Sequence, residues 1–148
     1  MVCAENRYWK REEAFKESFD KDGWFKTGDI AERSTNGNFK ILGRESVDIL
    51  KVGGFKISAL EIERFILEHP LVSTCAVVGI DDAEYGQRIG VIIVLKSRTE
   101  KLSLDDIRLF LSDKISSYKL PHRLILLDEM PLNAMGKVNK KDLVKVFS

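Results

Sequence analysis

Cysteine is scarce in this chain, with two residues in 148, and Cys3 and Cys75 stand far apart and outside any metal-ligand spacing. That argues against a disulfide framework and for a reducing, intracellular compartment. No excess of one charge is present either: Lys plus Arg number 24 and Asp plus Glu 23. A net basic footprint for nucleic acid or anionic lipid is therefore missing, although the stretch from Lys137 to Lys145 is locally basic. No apolar run nears the ~20 residues that a membrane span requires. The longest, Val91 to Leu95, reads as a buried strand, and the N-terminus has no apolar core of a signal peptide. Internal repeats and low-complexity linkers are absent. Histidine occurs twice: His69 precedes a proline at a helix end and His122 follows one at a strand entry. Neither has a partner in sequence, so both read as structural, and no metal site is expected.

What is present is the composition of a soluble globular domain, 44% hydrophobic and 32% charged, long enough to bury one core. The segment NRYWKREEAFKESF has weak helical character and is broken by Asp20-Lys21-Asp22-Gly23. DIAERS and FKILGR flank Thr35-Asn36-Gly37-Asn38, and Asn-Gly between extended runs predicts a tight hairpin. Ser58 with Glu61 forms a capping-box pattern opening a helix with Leu60, Ile62, Phe65 and Ile66, which His69-Pro70 stops. STCAVVGI and QRIGVIIVL read as strands around the turn Asp81 to Gly86. Ser103 and Asp106 open a second capped helix with Leu104, Ile107, Phe110, Leu111 and Ile115 on one face. HRLILLD is a third strand, and Asn139 is placed to cap a last short helix with Leu143, Val144 and Phe147. The order helix, strand, strand, helix, strand, preceded by a hairpin, predicts an α+β fold with a small, largely antiparallel sheet packed against helices.

Four segments carry chemistry, and each also has a plain structural reading. WFKTGDIA (Trp24 to Ala31) is a turn entering a strand. GRESVDILKVGGFKISALEIE (Gly43 to Glu63) is a loop and a capped helix. EYGQR (Glu84 to Arg88) is a hairpin turn, and MPLNAMGKVNKKDL (Met130 to Leu143) is a surface loop turned by Gly136. In combination, TGD, the GR…GG…EIE block and the terminal GK make the chain, from about Tyr8 to its end, resemble the C-terminal domain of the adenylate-forming superfamily. That superfamily holds acyl-CoA synthetases, peptide-synthetase adenylation domains and beetle luciferases. The wording SVDILKVGGFKISALEIE is most similar to the branch that contains malonyl-CoA synthetases.

The resemblance implies a two-step reaction of a carboxylic acid with ATP and then CoA, with Mg²⁺ arriving on the ATP phosphates. Lys137 matches the family's catalytic lysine, preceded by Gly136, whereas Lys140 and Lys141 read as solvated neighbours. Asp29 matches the aspartate that accepts hydrogen bonds from the ribose hydroxyls, and Arg44 an arginine that also touches the nucleotide. Gly53 and Gly54 would line the passage of the pantetheine arm, and Lys56 either meets a CoA phosphate or stands solvated. Many relatives have Asp or Lys as the hinge two residues after the arginine. This chain has Ser46 there, and one extra residue before the glycines, so the pivot falls within Ser46 to Asp48.

The resemblance divides the chain into residues 1–28, a tail of the N-terminal adenylation domain; 29–48, the hairpin and hinge; and 49–148, the C-terminal domain. No Ser/Thr/Gly-rich phosphate loop and no length for an acyl pocket are present. The chain is thus expected to be one part of a mitochondrial or cytoplasmic ligase, working against its own N-terminal domain and inactive alone. Two alternatives remain at this point: an adenylating enzyme whose acceptor is a carrier-protein pantetheine or oxygen, or a non-catalytic α+β binding module.

Overall fold

The computed structural model describes residues 12–147; Cys3, Tyr8, Trp9 and the start of the expected N-terminal tail lie outside them. A short helix α1 (Glu12–Glu17) is followed by strands β1 (Asp29–Arg33) and β2 (Phe39–Arg44), which form a two-stranded antiparallel sheet. Then come β3 (Ile49–Val52), β4 (Phe55–Ser58), helix α2 (Ala59–Ile66), β5 (Val72–Asp82) and β6 (Gly86–Leu95). Helix α3 (Leu104–Ser112), a 3-10 turn at Ser117–Lys119, β7 (Arg123–Leu127), α4 (Lys140–Val144) and a second 3-10 turn at Lys145–Phe147 complete the chain.

The main sheet runs β4-β3-β6-β5, with β7 pairing beside β6. Its pairs are antiparallel except β6–β7, which is parallel along Gly90–Val94. The expected α+β architecture is therefore present, and β7 is the one strand that makes the sheet mixed. The run VIIV lacks polar alternation because both faces of β5 and β6 are covered. Val77, Ile89, Val91 and Ile93 face a core shared with Ile62 and Ile66 of α2 and Ile107 and Leu111 of α3. Ala76, Val78 and Ile92 face the opposite side, where Met130, Leu143 and Phe147 close over them. The C-terminal turns thus form a third layer.

Between β3 and β4 the structure has a hairpin where the sequence reads as loop. Gly53 and Gly54 are its two turn residues, both at positive φ (55° and 85°). Two successive positive φ values define the mirror-image turn whose twist matches that of the flanking strands, and glycine adopts them without strain. The β1–β2 connection is looser than a two-residue turn: it spans residues 34–38, and Ser34 ties it, with its Oγ donating to the Asn38 carbonyl at 2.9 Å.

Of the two helix starts, that of α3 closes fully. Ser103 Oγ accepts from the Asp106 N–H at 3.2 Å, and Asp106 Oδ2 accepts from the Ser103 N–H at 2.9 Å. At α2 only half the box forms: Ser58 Oγ accepts from the Glu61 N–H, while the Glu61 carboxylate turns to Lys119 at 2.7 Å. Ser58 Oγ in turn donates to the Leu42 carbonyl of β2 at 2.6 Å, beside the bulge in the β1–β2 register. Asn139 precedes α4 without a cap hydrogen bond from its side chain.

The hydrogen bond from the Ser103 side chain, followed by that from its backbone, holds the Asp106 carboxyl below the ordinary carboxylate range. A lowered folded pKa stabilises the fold above the unfolded carboxylate pKa, and that contribution is lost as pH falls through the folded one. Ser103→Ala should therefore lower the Tm by a few degrees near neutral pH. The gap from wild type should narrow on acidification in thermal melts; a gap unchanged in acid would show that the carboxylate plays no part in the cap.

Candidate functional site

β1 and β2 bring the first two candidate residues together. Asp29 opens β1 and is the register partner of Arg44 at the end of β2, and Arg44 Nε lies 3.2 Å from Asp29 Oδ1. Both side chains remain accessible, at 36% and 65% exposure, so the pair is weak in water and its groups can exchange partners with a ligand. The Thr27 hydroxyl accepts from the Asp29 N–H at 3.1 Å, which orients the strand start. An open cleft of about 490 Å³ runs beside this pair, lined by Gly28, Arg44, Ser46, Lys51 and Gln87. Its polar lining, two cations, the Glu45 carboxylate and the Gln87 amide, suits a ligand rich in hydrogen-bonding groups of both kinds.

Lys137 stands elsewhere, on a tight loop between Leu132 and Val138, which form a bridge. Asn133, which the sequence reading passed over, organises this loop. Its Oδ1 accepts from the backbone N–H groups of Met135 at 2.9 Å and Lys137 at 3.0 Å. Its own N–H donates to the Lys137 carbonyl at 2.8 Å, and its carbonyl accepts from the Gly136 N–H at 2.9 Å. The Lys137 backbone is thus fixed while its side chain is exposed, and among the described residues its ammonium makes no ion pair. A held backbone with an unpartnered ammonium is a charge available to another surface.

Gly53, Gly54 and Lys56 share the β3–β4 hairpin. EYGQR packs beneath its turn: the Gly53 N–H donates to the Tyr85 carbonyl at 2.9 Å, and Gln87 Oε1 accepts from the Lys51 N–H at 2.8 Å. Arg88 pairs with Asp82 and lies over the Tyr85 ring, 4.6 Å from its centroid. Gly54 faces open space, and Phe55 next to it stacks on Tyr118 with centroids 4.7 Å apart. Lys56 is exposed on β4, opposite Lys51.

The expected hinge residues part company. Ser46 is exposed, whereas Asp48 is buried, its Oδ2 accepting from the Arg44 N–H at 2.9 Å and its Oδ1 from Lys140 Nζ at 2.6 Å. Lys140 also lies 2.7 Å from Glu63 Oε1, which accepts from the Val77 N–H at 2.7 Å. The reading of Lys140 as a solvated neighbour of Lys137 is therefore corrected: it is enclosed between two carboxylates. Gly43 permits this packing, since a Cβ there would lie 2.4 Å from that of Asp48.

Cys75 lies beside the same cluster, its Sγ donating to the Glu63 carbonyl, and burial followed by the Glu63 charge pushes its thiol up to about 12. It carries no thiolate chemistry near neutral pH. His69 packs edge-on against Phe110, and burial holds the His122 imidazole below its ordinary value, in keeping with structural roles. Among the described residues no His, Cys, Asp or Glu cluster is arranged to hold a metal, and no helix is long and apolar enough to cross a membrane.

Residues 61–137 match the family described as the AMP-binding enzyme C-terminal domain. The chain is 47% identical over 147 residues to a malonate–CoA ligase of Arabidopsis thaliana, covering 93% of this chain and 24% of that protein. It is 44% identical to a mitochondrial malonate–CoA ligase of Mus musculus, covering 93% of this chain and 23% of the relative. ATP-bound MatB from Rhodopseudomonas palustris superimposes with a TM-score of 0.85 at 31% identity, over 96% of this chain and 28% of its own. The chain thus spans about a quarter of the length of these relatives. By its matched motifs and its fold, it belongs to the AMP-binding enzyme C-terminal domain family.

Proposed function

We propose that this chain is the C-terminal domain of an ATP-dependent acid–thiol ligase that activates a small carboxylic acid, of the malonate class named in its relatives, for transfer to CoA. The observation that carries the reading is Lys137: an exposed ammonium, without an ion pair among the described residues, on a loop whose backbone Asn133 holds, in a domain of this family. In the first step a substrate carboxylate oxygen attacks the α-phosphorus of ATP, and the bond to the β-phosphate oxygen breaks. Acyl-adenylate and pyrophosphate result, with Mg²⁺ carried by the ATP phosphates. Charge builds between two anions, where a preorganised cation lowers the barrier. Lys137 has the compact charge and flexible stem to reach that point from a separate domain.

Asp29 accepts hydrogen bonds from both ribose hydroxyls, as an ionised carboxylate can, and Arg44 beside it faces the nucleotide. The second step brings the thiol of CoA to the acyl carbon, expelling AMP. Gly53 and Gly54 serve it by leaving the turn bare where the pantetheine arm passes, and Lys56 stands ready for a CoA phosphate. Ser46, exposed at the segment joining hairpin and body, lies in the hinge about which the domain turns between the steps. The N-terminal adenylation domain supplies the phosphate loop and the acyl pocket; the enzyme's place is mitochondrial or cytoplasmic, and the mouse relative is named as mitochondrial.

The reading is tested in the ligase that carries this domain, by following pyrophosphate release and then transfer to free CoA or to a pantetheinylated carrier protein. Lys137→Ala should lower pyrophosphate release by roughly 100-fold or more. Thioester formation from supplied acyl-adenylate should survive; equal loss in both half-reactions would make Lys137 structural. Asn133→Ala, which removes two acceptor bonds from the loop, should give a smaller deficit of about tenfold in the same half-reaction, with ATP KM little changed. An unaltered kcat would show that the loop needs no such support.

Gly54 separates the second step from the first. Gly54→Ala keeps most of the backbone penalty of a side chain at φ +85°, whereas Gly54→Leu adds bulk. Transfer to CoA should fall progressively from Ala to Leu while pyrophosphate release persists in both. Transfer by the Leu variant at the wild-type rate would remove the glycine pair from the thiol passage.

A further inference from the structure

Lys140 belongs to the basic C-terminal stretch, yet the fold takes it out of water. Its side chain is 13% exposed, and its partners Asp48 and Glu63 are equally enclosed. Each carboxylate takes a further hydrogen bond from a backbone N–H, Arg44 for Asp48 and Val77 for Glu63. The ammonium therefore joins three places: the segment after the β1–β2 hairpin, helix α2, and the first residue of α4. Only Val138 and Asn139 separate it from Lys137, so the loop carrying Lys137 is pinned at its C-terminal foot.

A buried ion pair is a poor device for stability alone, since well-packed apolar side chains of like volume often do as well or better. Its strength is registry, because an ammonium between two fixed carboxylates accepts few alternative positions. Here one end of the cluster reaches across the hinge. Asp48 Oδ2 holds the Arg44 N–H of β2 while Asp48 Oδ1 holds Lys140. The Asp48 N–H returns to the Arg44 carbonyl at 2.8 Å, so residues 44–48 form one wound turn against the body.

We propose that Lys140 is a positioning residue: by aiming Asp48 at the Arg44 N–H, it locks the hairpin bearing Asp29 and Arg44 to the body bearing Lys137. The pivot then falls upstream of Asp48, at Glu45–Val47, and Asp48 travels with the body. The kinetic consequence rests on the ligase reading above; the lock itself does not.

The lock is read first by amide hydrogen exchange on this chain. Lys140→Met should raise exchange at the Arg44 N–H by roughly tenfold or more, the signature of a local opening. The amides of Val91, Ile92 and Ile93 in the core strand should be unaffected. Should Lys140→Met fold poorly with two stranded carboxylates, Lys140→Met with Glu63→Gln removes one of them and still leaves Asp48 without its cation. Unchanged exchange at Arg44, or exchange rising in step at Val91–Ile93, overturns the proposal. In the ligase, Lys140→Met should lower the kcat of pyrophosphate release roughly 10- to 100-fold with ATP KM within about twofold, since misplacement and not binding is at fault. Lys140→Arg should recover most of that loss, and transfer from supplied acyl-adenylate should be spared. Equal loss in both half-reactions, or no recovery with Arg, reduces Lys140 to a structural role. A wild-type ligase that releases no pyrophosphate with any carboxylic acid defeats the functional reading, and the exchange result then decides the lock alone.

Discussion

An ammonium held between two carboxylates, out of water, determines how the outer layer of this domain sits on its sheet. Helix α4 has five residues, far fewer than an isolated helix needs to persist in water. It stays because Leu143 and Phe147 bury against Ala76, Val78 and Ile92, and because Lys140 ties its first residue to Asp48 and Glu63. Apolar contact supplies the attraction, but it is non-directional and tolerates sliding. The ion cluster is directional, and one ammonium cannot satisfy two carboxylates unaided. The Arg44 and Val77 N–H groups provide the remaining donors, as buried acceptors require. Two of the strands and one helix are thereby referenced to a single atom, Lys140 Nζ.

The glycine pair meets the demand of the hairpin turn, and the proposed function would add a second. As turn residues of the β3–β4 hairpin, Gly53 and Gly54 need positive φ, and that suffices to account for glycine at both positions. Their surroundings add a distinction between them. Gly53 packs on Tyr85, so a Cβ there would touch the ring at 3.4 Å, whereas a Cβ on Gly54 would meet nothing within 4 Å. On the proposed reading this bare backbone facing open space is the passage for a thin flexible arm, and the EYGQR turn beneath supports it.

Much of the fold was legible because its signals are local. Ser103 and Asp106 lie three residues apart and form the capping box that their spacing predicts; the apolar run at Val91–Leu95 became the central strand. What escaped depends on partners distant in sequence. Lys140 reads as one more solvated lysine because Asp48, its partner, is 92 residues away. Glu61 reads as the second half of a capping box, but Lys119 outcompetes the local N–H. Strands β3 and β4 are four residues each, too short for alternation to declare itself, and their glycine turn resembles a loop. The candidate site divides the same way. Lys137, Asp29 and Arg44 are marked by short motifs, whereas Asn133, which shapes the lysine loop, is an ordinary residue until its four hydrogen bonds to that loop's backbone are seen.

On the two-step reading proposed above, a domain that presents different faces in turn cannot join its hairpin to its body through a large apolar contact. Breaking such a contact would expose on the order of hundreds of square ångströms at ~25 cal/mol each, several kcal/mol in total. The junction here is polar instead: Ser58 Oγ to the Leu42 carbonyl, the Arg44 N–H to Asp48, and the Asp48 N–H to the Arg44 carbonyl. Each such bond has a net worth of about 1 kcal/mol, because water replaces it when it opens. Of the hairpin's apolar side chains, Phe39 and Ile41 point to solvent, and only Ile30 and Leu42 are half-buried. Polar fastening of this kind sets a defined register while closed and releases at a modest cost, and in the proposed scheme Lys140 keeps Asp48 in register on the body side of the pivot.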